Sequence, residues 1–377
     1  MIIEIAGKAK VSVEQPSPII DILNNYDHEL LSQTVAATID GKVVDLRTVL
    51  TTDTTLSLVN VGSPEALKVL RHSAAHIMAE AVKHLYPEAK FTIGPATETG
   101  FFYDFDYRPF TMEDLEAIEK EMKAIIKKGP RIERREVSRE EAIAIFKEKN
   151  EPYKLELIDA IPEGELITIY TQDDFTDLCA GPHILNVRMI KGFKLTATST
   201  AYWRADKNNA SLARITGTAF FSKEDLEKYL EYLEDIKNRD HNKIGREMEL
   251  FTTVDVIGQG LPLLMPKGAK IVQTLQRWIE DLEDNEWGYM RTKTPLFAKS
   301  DLYKISGHWD HYRDGMFVMG DPDKDKEVFA LRPMTCPFQY YVFKAGQKSY
   351  RDLPCRYSET STLFRNEDSG EMHGLTR

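Results

Sequence analysis

One charged helix divides this chain. Ser222-Lys223-Glu224-Asp225 supplies a cap and early acids, and the apolar residues that follow, Leu226, Leu230, Leu233 and Ile236, make a stripe too thin to face a core. A helix of that pattern connects domains. The 377 residues therefore read as two or three cores at roughly 150 residues each. With 42% hydrophobic and 29% charged residues, the composition is globular and not that of a disordered chain. No apolar run approaches the roughly 20 residues of a membrane helix, so no membrane partner is expected. Met1-Ile2-Ile3-Glu4-Ile5 reads as a strand and lacks the basic region and cleavage site of a signal peptide. Three cysteines, Cys179, Cys336 and Cys355, are too few for a disulfide scaffold and fit a reducing, cytoplasmic compartment. Acidic residues outnumber basic ones by 60 to 49, giving a net charge of −11. That balance argues against a chain that coats nucleic acid non-specifically, although a local basic face is compatible with it.

Residues 1–62 read as a small β-rich module. Ile3, Ile5, Val11 and Val13 predict two short strands around Gly7-Lys8. Ser17 as cap and Pro18 in the first turn predict a helix start. Asp40-Gly41 supplies the positive φ of a tight hairpin, and residues 55–59 alternate as a further strand. A strand pair, a helix and more strands in so short a stretch suggest a ubiquitin-like grasp. Residues 63–221 read as an α+β domain. Ser63-Pro64-Glu65 opens a helix with Leu67, Leu70, Ala74, Ile77 and Met78 on its apolar face, and a strong helix over 112–128 stops at Gly129-Pro130. Residues 222–243 form the connector, and a third domain starts at 244 and is still incomplete at Arg377.

Three constellations carry chemistry. His72-Ser73-Ala74-Ala75-His76 places two imidazoles on one helix face. Asp177-Leu178-Cys179-Ala180-Gly181-Pro182-His183 adds a third imidazole, a thiol and a carboxylate. These ligand types suit zinc, and histidine equally suits proton transfer near neutral pH. The first pattern is not the H-E-x-x-H of a zincin, because it lacks the glutamate that acts as base, and two isolated helix histidines are commonly structural. Cys336, in Arg332-Pro333-Met334-Thr335-Cys336-Pro337, reads by itself as a small buried apolar residue, and Cys355 as structural. Phe364-Arg365-Asn366-Glu367 offers a guanidinium fork for phosphate or carboxylate with Glu367 on the same side of a strand, or else a surface ion pair. Lys127, Lys128, Arg131, Arg134 and Arg135 form either an RNA-facing patch or a solvated charge run.

Taken together and in order, these motifs resemble the N-terminal part of threonyl-tRNA synthetase, a class II aminoacyl-tRNA synthetase. Ile93-Gly94-Pro95, Ala201-Tyr202-Trp203-Arg204, Arg239-Asp240-His241-Asn242-Lys243-Ile244-Gly245, Ser306-Gly307-His308-Trp309 and Tyr350-Arg351-Asp352-Leu353-Pro354 extend the match. The resemblance implies a multidomain α+β fold: a ubiquitin-like β-grasp module at 1–62, an α+β editing domain at 63–221, a helical linker at 222–243 and, at 244–377, the start of a class II antiparallel-sheet catalytic domain. It implies threonine–tRNA ligation with ATP-Mg²⁺, threonine and tRNA(Thr) as partners, in a homodimer whose motif 1 falls at Pro295. Arg365 would bind the ATP α-phosphate and the threonine carboxylate, Glu367 would orient the adenylate, and Arg377 would lie at the far side of the motif 2 loop. Met334 would sit beside the threonine pocket, and Cys336 would be one of three protein ligands of a catalytic zinc. The neighbours of Cys336 depart from the family's usual Asn and Gly-His, and the histidine ligands, motif 3 and anticodon-binding domain are expected beyond Arg377. These residues by themselves are therefore expected to form negligible adenylate.

A ligase for threonine faces two competitors. Valine lacks the hydroxyl, and a site that binds the hydroxyl rejects it by roughly 10⁴–10⁵. Serine lacks only a methyl, worth about 1–3 kcal/mol, so a second, hydrolytic site for seryl-tRNA is the expected remedy. The resemblance places that site at His72, His76, Lys154, Asp177, Cys179 and His183 and favours a metal-free pocket. One histidine, or Asp177 through water, would position the nucleophilic water, and Lys154 would neutralise developing charge or a phosphate. Two rival readings are a freestanding seryl-tRNA deacylase and a zinc-dependent hydrolase unrelated to tRNA.

Overall fold

The computed structural model describes residues 1–258, 260–367 and 375. The chain divides into two compact units, Met1–Tyr232 and Leu233–Arg377. The division falls inside the charged helix Lys223–Asn238, which Ser222 caps and which buries none of its residues. No helix of the described residues is long and apolar enough to cross a membrane.

The first unit begins with a five-stranded sheet ordered Ala9–Ser12, Ile2–Ile5, Thr54–Asn60, Thr34–Ile39, Lys42–Val44. Ile2–Ile5 and Thr54–Asn60 run parallel at its centre, and the other pairs are antiparallel. Asp40 and Gly41, at φ 49° and 78°, turn the hairpin between the last two strands. Helix Ile19–Tyr26 lays Ile19, Ile22 and Leu23 on Ile3, Ile5 and Leu56. Ser17 does not cap this helix. It pairs with Leu50 as a short strand and donates its hydroxyl to the Gln15 carbonyl, so the helix starts at Ile19.

Helix Pro64–Leu85 follows, capped by Ser63 with Pro64 in its first turn, and is buried almost all round from Ala66 to Val82. Ala74, Ala75, Ala79 and Ala81 let neighbouring elements approach its backbone. It packs against helix Met112–Lys128 and an antiparallel sheet ordered Gly192–Tyr202, Ser211–Phe220, Phe101–Asp106, Lys90–Phe91. Val35, Ala36 and Val59 of the first sheet join the same core. A second antiparallel sheet, Ile132–Val137, Ile167–Gln172, Phe175–Leu178, carries the Asp177–His183 segment off its last strand.

In the second unit, the antiparallel strands Phe297–Lys299, Phe329–Leu331 and Val318–Met319 pack with Tyr303, Met316 and Phe338. Strands Met290–Arg291 and Tyr357–Ser358 pair in parallel. Helix Pro266–Asn285 leaves Ile271, Val272, Leu275 and Trp278 exposed.

Candidate functional site

His72 and His76 lie one turn apart on the buried helix Pro64–Leu85, and Cys179 and His183 come to them from the segment after strand Phe175–Leu178. One ligand atom from each of the four lies within 4.8 Å of the others. His72 Nε2 is 3.0 Å and His183 Nε2 3.5 Å from Cys179 Sγ, which also accepts the Gly181 amide at 3.2 Å.

The ring tautomers follow from their second partners. His72 Nδ1 lies 3.2 Å from the Gly94 carbonyl, so it donates there. The Ser73 hydroxyl donates to the Val69 carbonyl, so His183 Nδ1, 3.1 Å away, donates to Ser73 Oγ. Both rings thus turn an unprotonated Nε2 toward the thiol. Burial holds His72 below the ordinary imidazole value. Burial, with His76, His72 and Arg47 close by, holds His183 well below it. Both rings are neutral at pH 7.

Beneath the cluster lies a buried ionic network. Lys154, 2% exposed, donates to the Thr92 carbonyl at 2.6 Å and the Tyr103 hydroxyl at 3.0 Å, and pairs with Asp177, also 2% exposed. Tyr103 in turn donates to Asp177 Oδ2 at 2.8 Å. His76 Nε2 stands 3.6 Å from the same oxygen. Burial alone would raise Asp177, but Lys154 and His76 hold the carboxyl below its usual range. Burial and Asp177 push Tyr103 well up. The three donors of Lys154 are spent inside the protein, so it orients Asp177 and does not reach a phosphate. His72 and Cys179 are the half-buried members, so the cluster is open to solvent on their side.

A further layer comes from the first sheet module. Asp45 accepts the His183 amide at 3.0 Å, the Tyr170 hydroxyl at 3.2 Å and the Arg47 guanidinium at 3.0 Å. Arg47 donates to the carbonyls of His183 and Ile184. Gly181, at φ 69°, has no room for a side chain: a Cβ there would stand 2.2 Å from the Tyr170 hydroxyl. Asp45, Arg47, Ser73, Tyr103 and Tyr170 were not singled out from sequence. Ser73 carried a signal, as a polar residue on the helix between the two histidines, whereas Asp45 and Arg47 lie more than a hundred residues from His183 and carried none.

This donor set fits zinc, since imidazoles with Nδ1 held by oxygen acceptors and Nε2 free beside a thiol are zinc-ligand geometry. The same orientation also suits water held between neutral imidazoles.

In the second unit, Arg365 Nε donates to the Pro333 carbonyl at 3.3 Å, and the Phe364 amide to the Arg332 carbonyl at 3.0 Å. Phe364 and Arg365 thereby run beside the segment that carries Met334 and Cys336, whereas the Asn366 amide donates to the Gly315 carbonyl. His308 Nε2 lies 3.3 Å from Met334 Sδ. Arg332, fully buried, donates to Glu359 and the Thr294 hydroxyl and underlies both segments; sequence reading missed it and Glu359. Cys336 is exposed at a helix start, contrary to its reading as a small buried residue, and among the described residues it joins no group of three metal-ligating side chains. One thiol does not make a zinc site. Arg377 lies outside the described residues.

The basic run at 127–135 is largely neutralised, with Lys128 on Asp173, Arg134 on Glu136 and Arg135 on Glu141. This fits a solvated charge run.

Residues 317–377 match the model of the tRNA synthetase class II core domain (G, H, P, S and T), and residues 167–216 match the Threonyl and Alanyl tRNA synthetase second additional domain. The first match includes Met334, Cys336, Arg365, Glu367 and Arg377, and the second Asp177, Cys179 and His183; both are domains of aminoacyl-tRNA synthetases. It is 57% identical over 360 residues to a threonine–tRNA ligase of Clostridium botulinum (strain Alaska E43 / Type E3), covering 95% of this chain and 56% of the relative. For a threonine–tRNA ligase of Clostridium perfringens (strain 13 / Type A) the figures are 55% over 366 residues, 97% and 56%, and for one of Staphylococcus aureus (strain JH9) 49% over 358, 95% and 55%. Over almost its whole length the chain is similar to threonine–tRNA ligases, and it spans about half the length of the curated relatives it matches.

Proposed function

We propose that this chain serves ATP-dependent ligation of threonine to tRNA(Thr), and that the His72–His76–Cys179–His183 cluster hydrolyses seryl-tRNA(Thr) formed in error. The observation that carries the hydrolytic reading is the convergence of three imidazoles and a thiol above a buried Lys154–Asp177–Tyr103 network. The names of the relatives support the ligase reading.

His72, neutral and fixed in tautomer, accepts one hydrogen bond from a water placed over the ester carbonyl, while His183 accepts from the Cys179 thiol. Within the cluster His76 is the imidazole that faces a carboxylate, and it takes the water's other proton. The water oxygen bonds to the carbonyl carbon, the bond from that carbon to the ribose oxygen breaks, and the proton passes to the ribose. Serine and the free tRNA end result. His76→Ala is expected to keep its fold and lose about 10²-fold or more in seryl-tRNA deacylation; full activity in that variant would overturn the assignment.

For the ligase, Arg365 is the ATP and threonine-carboxylate ligand, Glu367 orients the adenylate, Met334 and Cys336 border the threonine, and Arg377 joins the nucleotide site. Cys336 would supply one ligand to a zinc in the whole enzyme, and magnesium would accompany ATP. The modular division is 1–62, a ubiquitin-like grasp, supported by its parallel central pair and crossing helix; 63–221, the editing domain; 222–243, the linker; and 244–377, the class II part. The exposed apolar residues of helix Pro266–Asn285 support a homodimer. Free thiols support a cytoplasmic setting.

A zinc-dependent hydrolase is the second reading, favoured by the shared Nε2 orientation of His72 and His183. Chelator-sensitive hydrolysis without preference for aminoacyl-tRNA would establish it.

A further inference from the structure

A second set of ligand-type side chains meets further along the helix Pro64–Leu85. Glu80 and His84, four residues apart, share a face of it. Asp174 reaches them from the turn between strands Ile167–Gln172 and Phe175–Leu178. One donor atom from each of the three lies within 4.8 Å of the other two. His84 Nδ1 is 2.8 Å from Glu121 Oε1, on helix Met112–Lys128, and its Nε2 is 3.1 Å from Asp174 Oδ1. Whichever nitrogen a cation takes, the other keeps a carboxylate partner, the arrangement that orients metal-bound histidines.

Glu80 supplies the independent observation. It is fully buried. Its Oε2 accepts from Gln172 at 2.7 Å, whereas Oε1 has no hydrogen-bond partner among the described residues. A buried carboxylate oxygen without a donor bears an uncompensated desolvation cost, which a coordinated cation removes. Lys128 is held by Asp173.

We propose that Glu80, His84 and Asp174 form a divalent metal site distinct from the histidine–cysteine cluster. One imidazole with carboxylates and no thiol selects a borderline ion, zinc or manganese, over calcium on one side and copper(I) on the other. The ion ties the helix carrying His72 and His76 to the turn that leads, three residues on, to Asp177.

The test uses the whole chain, with cobalt(II) or zinc alone as the probe. A Cys179→Ser variant, which removes the thiol of the other cluster, is expected to bind a single equivalent by calorimetry, without a thiolate-to-cobalt absorption band. Adding His84→Gln or Asp174→Asn to it is expected to weaken that binding about tenfold or more, with circular dichroism unchanged. Both positions are exposed, so the fold is expected to tolerate either change. Failure of Cys179→Ser to bind either ion at millimolar concentration would overturn the site, as would unchanged binding in both double variants.

Discussion

Lys154 and Asp177 neutralise each other with almost no water in reach, so removing one leaves the other stranded. Lys154→Met is expected to cost about 3–5 kcal/mol in urea unfolding, whereas adding Asp177→Leu recovers most of it, because an apolar pair replaces the ionic one. A single variant as stable as the parent would contradict the buried pair. The imidazoles give a second prediction. His72 and His183 are held below the unfolded value of about 6.5, so below that pH the native chain binds fewer protons than the unfolded one. Their contribution to stability is full above about pH 6.5 and is lost as pH falls through it. The parent is therefore expected to lose more stability on acidification than His183→Gln, a comparison that cancels the other titrating groups. Nitrogen-15 spectra are expected to show Nδ1–H tautomers for both rings at neutral pH; a charged ring there would refute the assignment.

At the level of elements, the cluster depends on a loop of the first sheet module. Asp45 and Arg47 hold the backbone of His183 and Ile184. Asp45→Ala is expected to lower kcat for deacylation with little change in KM, since the loop positions His183 and touches no substrate; a change in KM alone would argue against that role. Sequence showed the helix that carries His72 and His76, because Ser63, Pro64 and the i, i+4 spacing are local signals. It showed the Asp40-Gly41 hairpin for the same reason. It missed the Ser17 strand, where pairing with residue 50 overrides a local cap signal. It also missed Asp45, Arg47, Tyr103 and Arg332, whose roles exist only through partners distant in the chain. Cys336 read as buried because isolated cysteines usually are, and its exposure reflects its place at the start of a helix.

For the whole molecule, the boundary between the two units falls in the charged helix Lys223–Asn238, with the His72–His76–Cys179–His183 cluster in the first unit and Met334, Cys336 and Arg365 in the second. The proposed hydrolysis therefore involves residues within Met1–Tyr232, and the proposed chemistry on ATP residues within Leu233–Arg377. The most direct test is deacylation of seryl-tRNA(Thr) and threonyl-tRNA(Thr) by the 377-residue chain, with and without chelator. Rapid loss of serine, slow loss of threonine and indifference to chelator are the predicted result. Equal hydrolysis of both esters, or no hydrolysis by the folded chain, would contradict it.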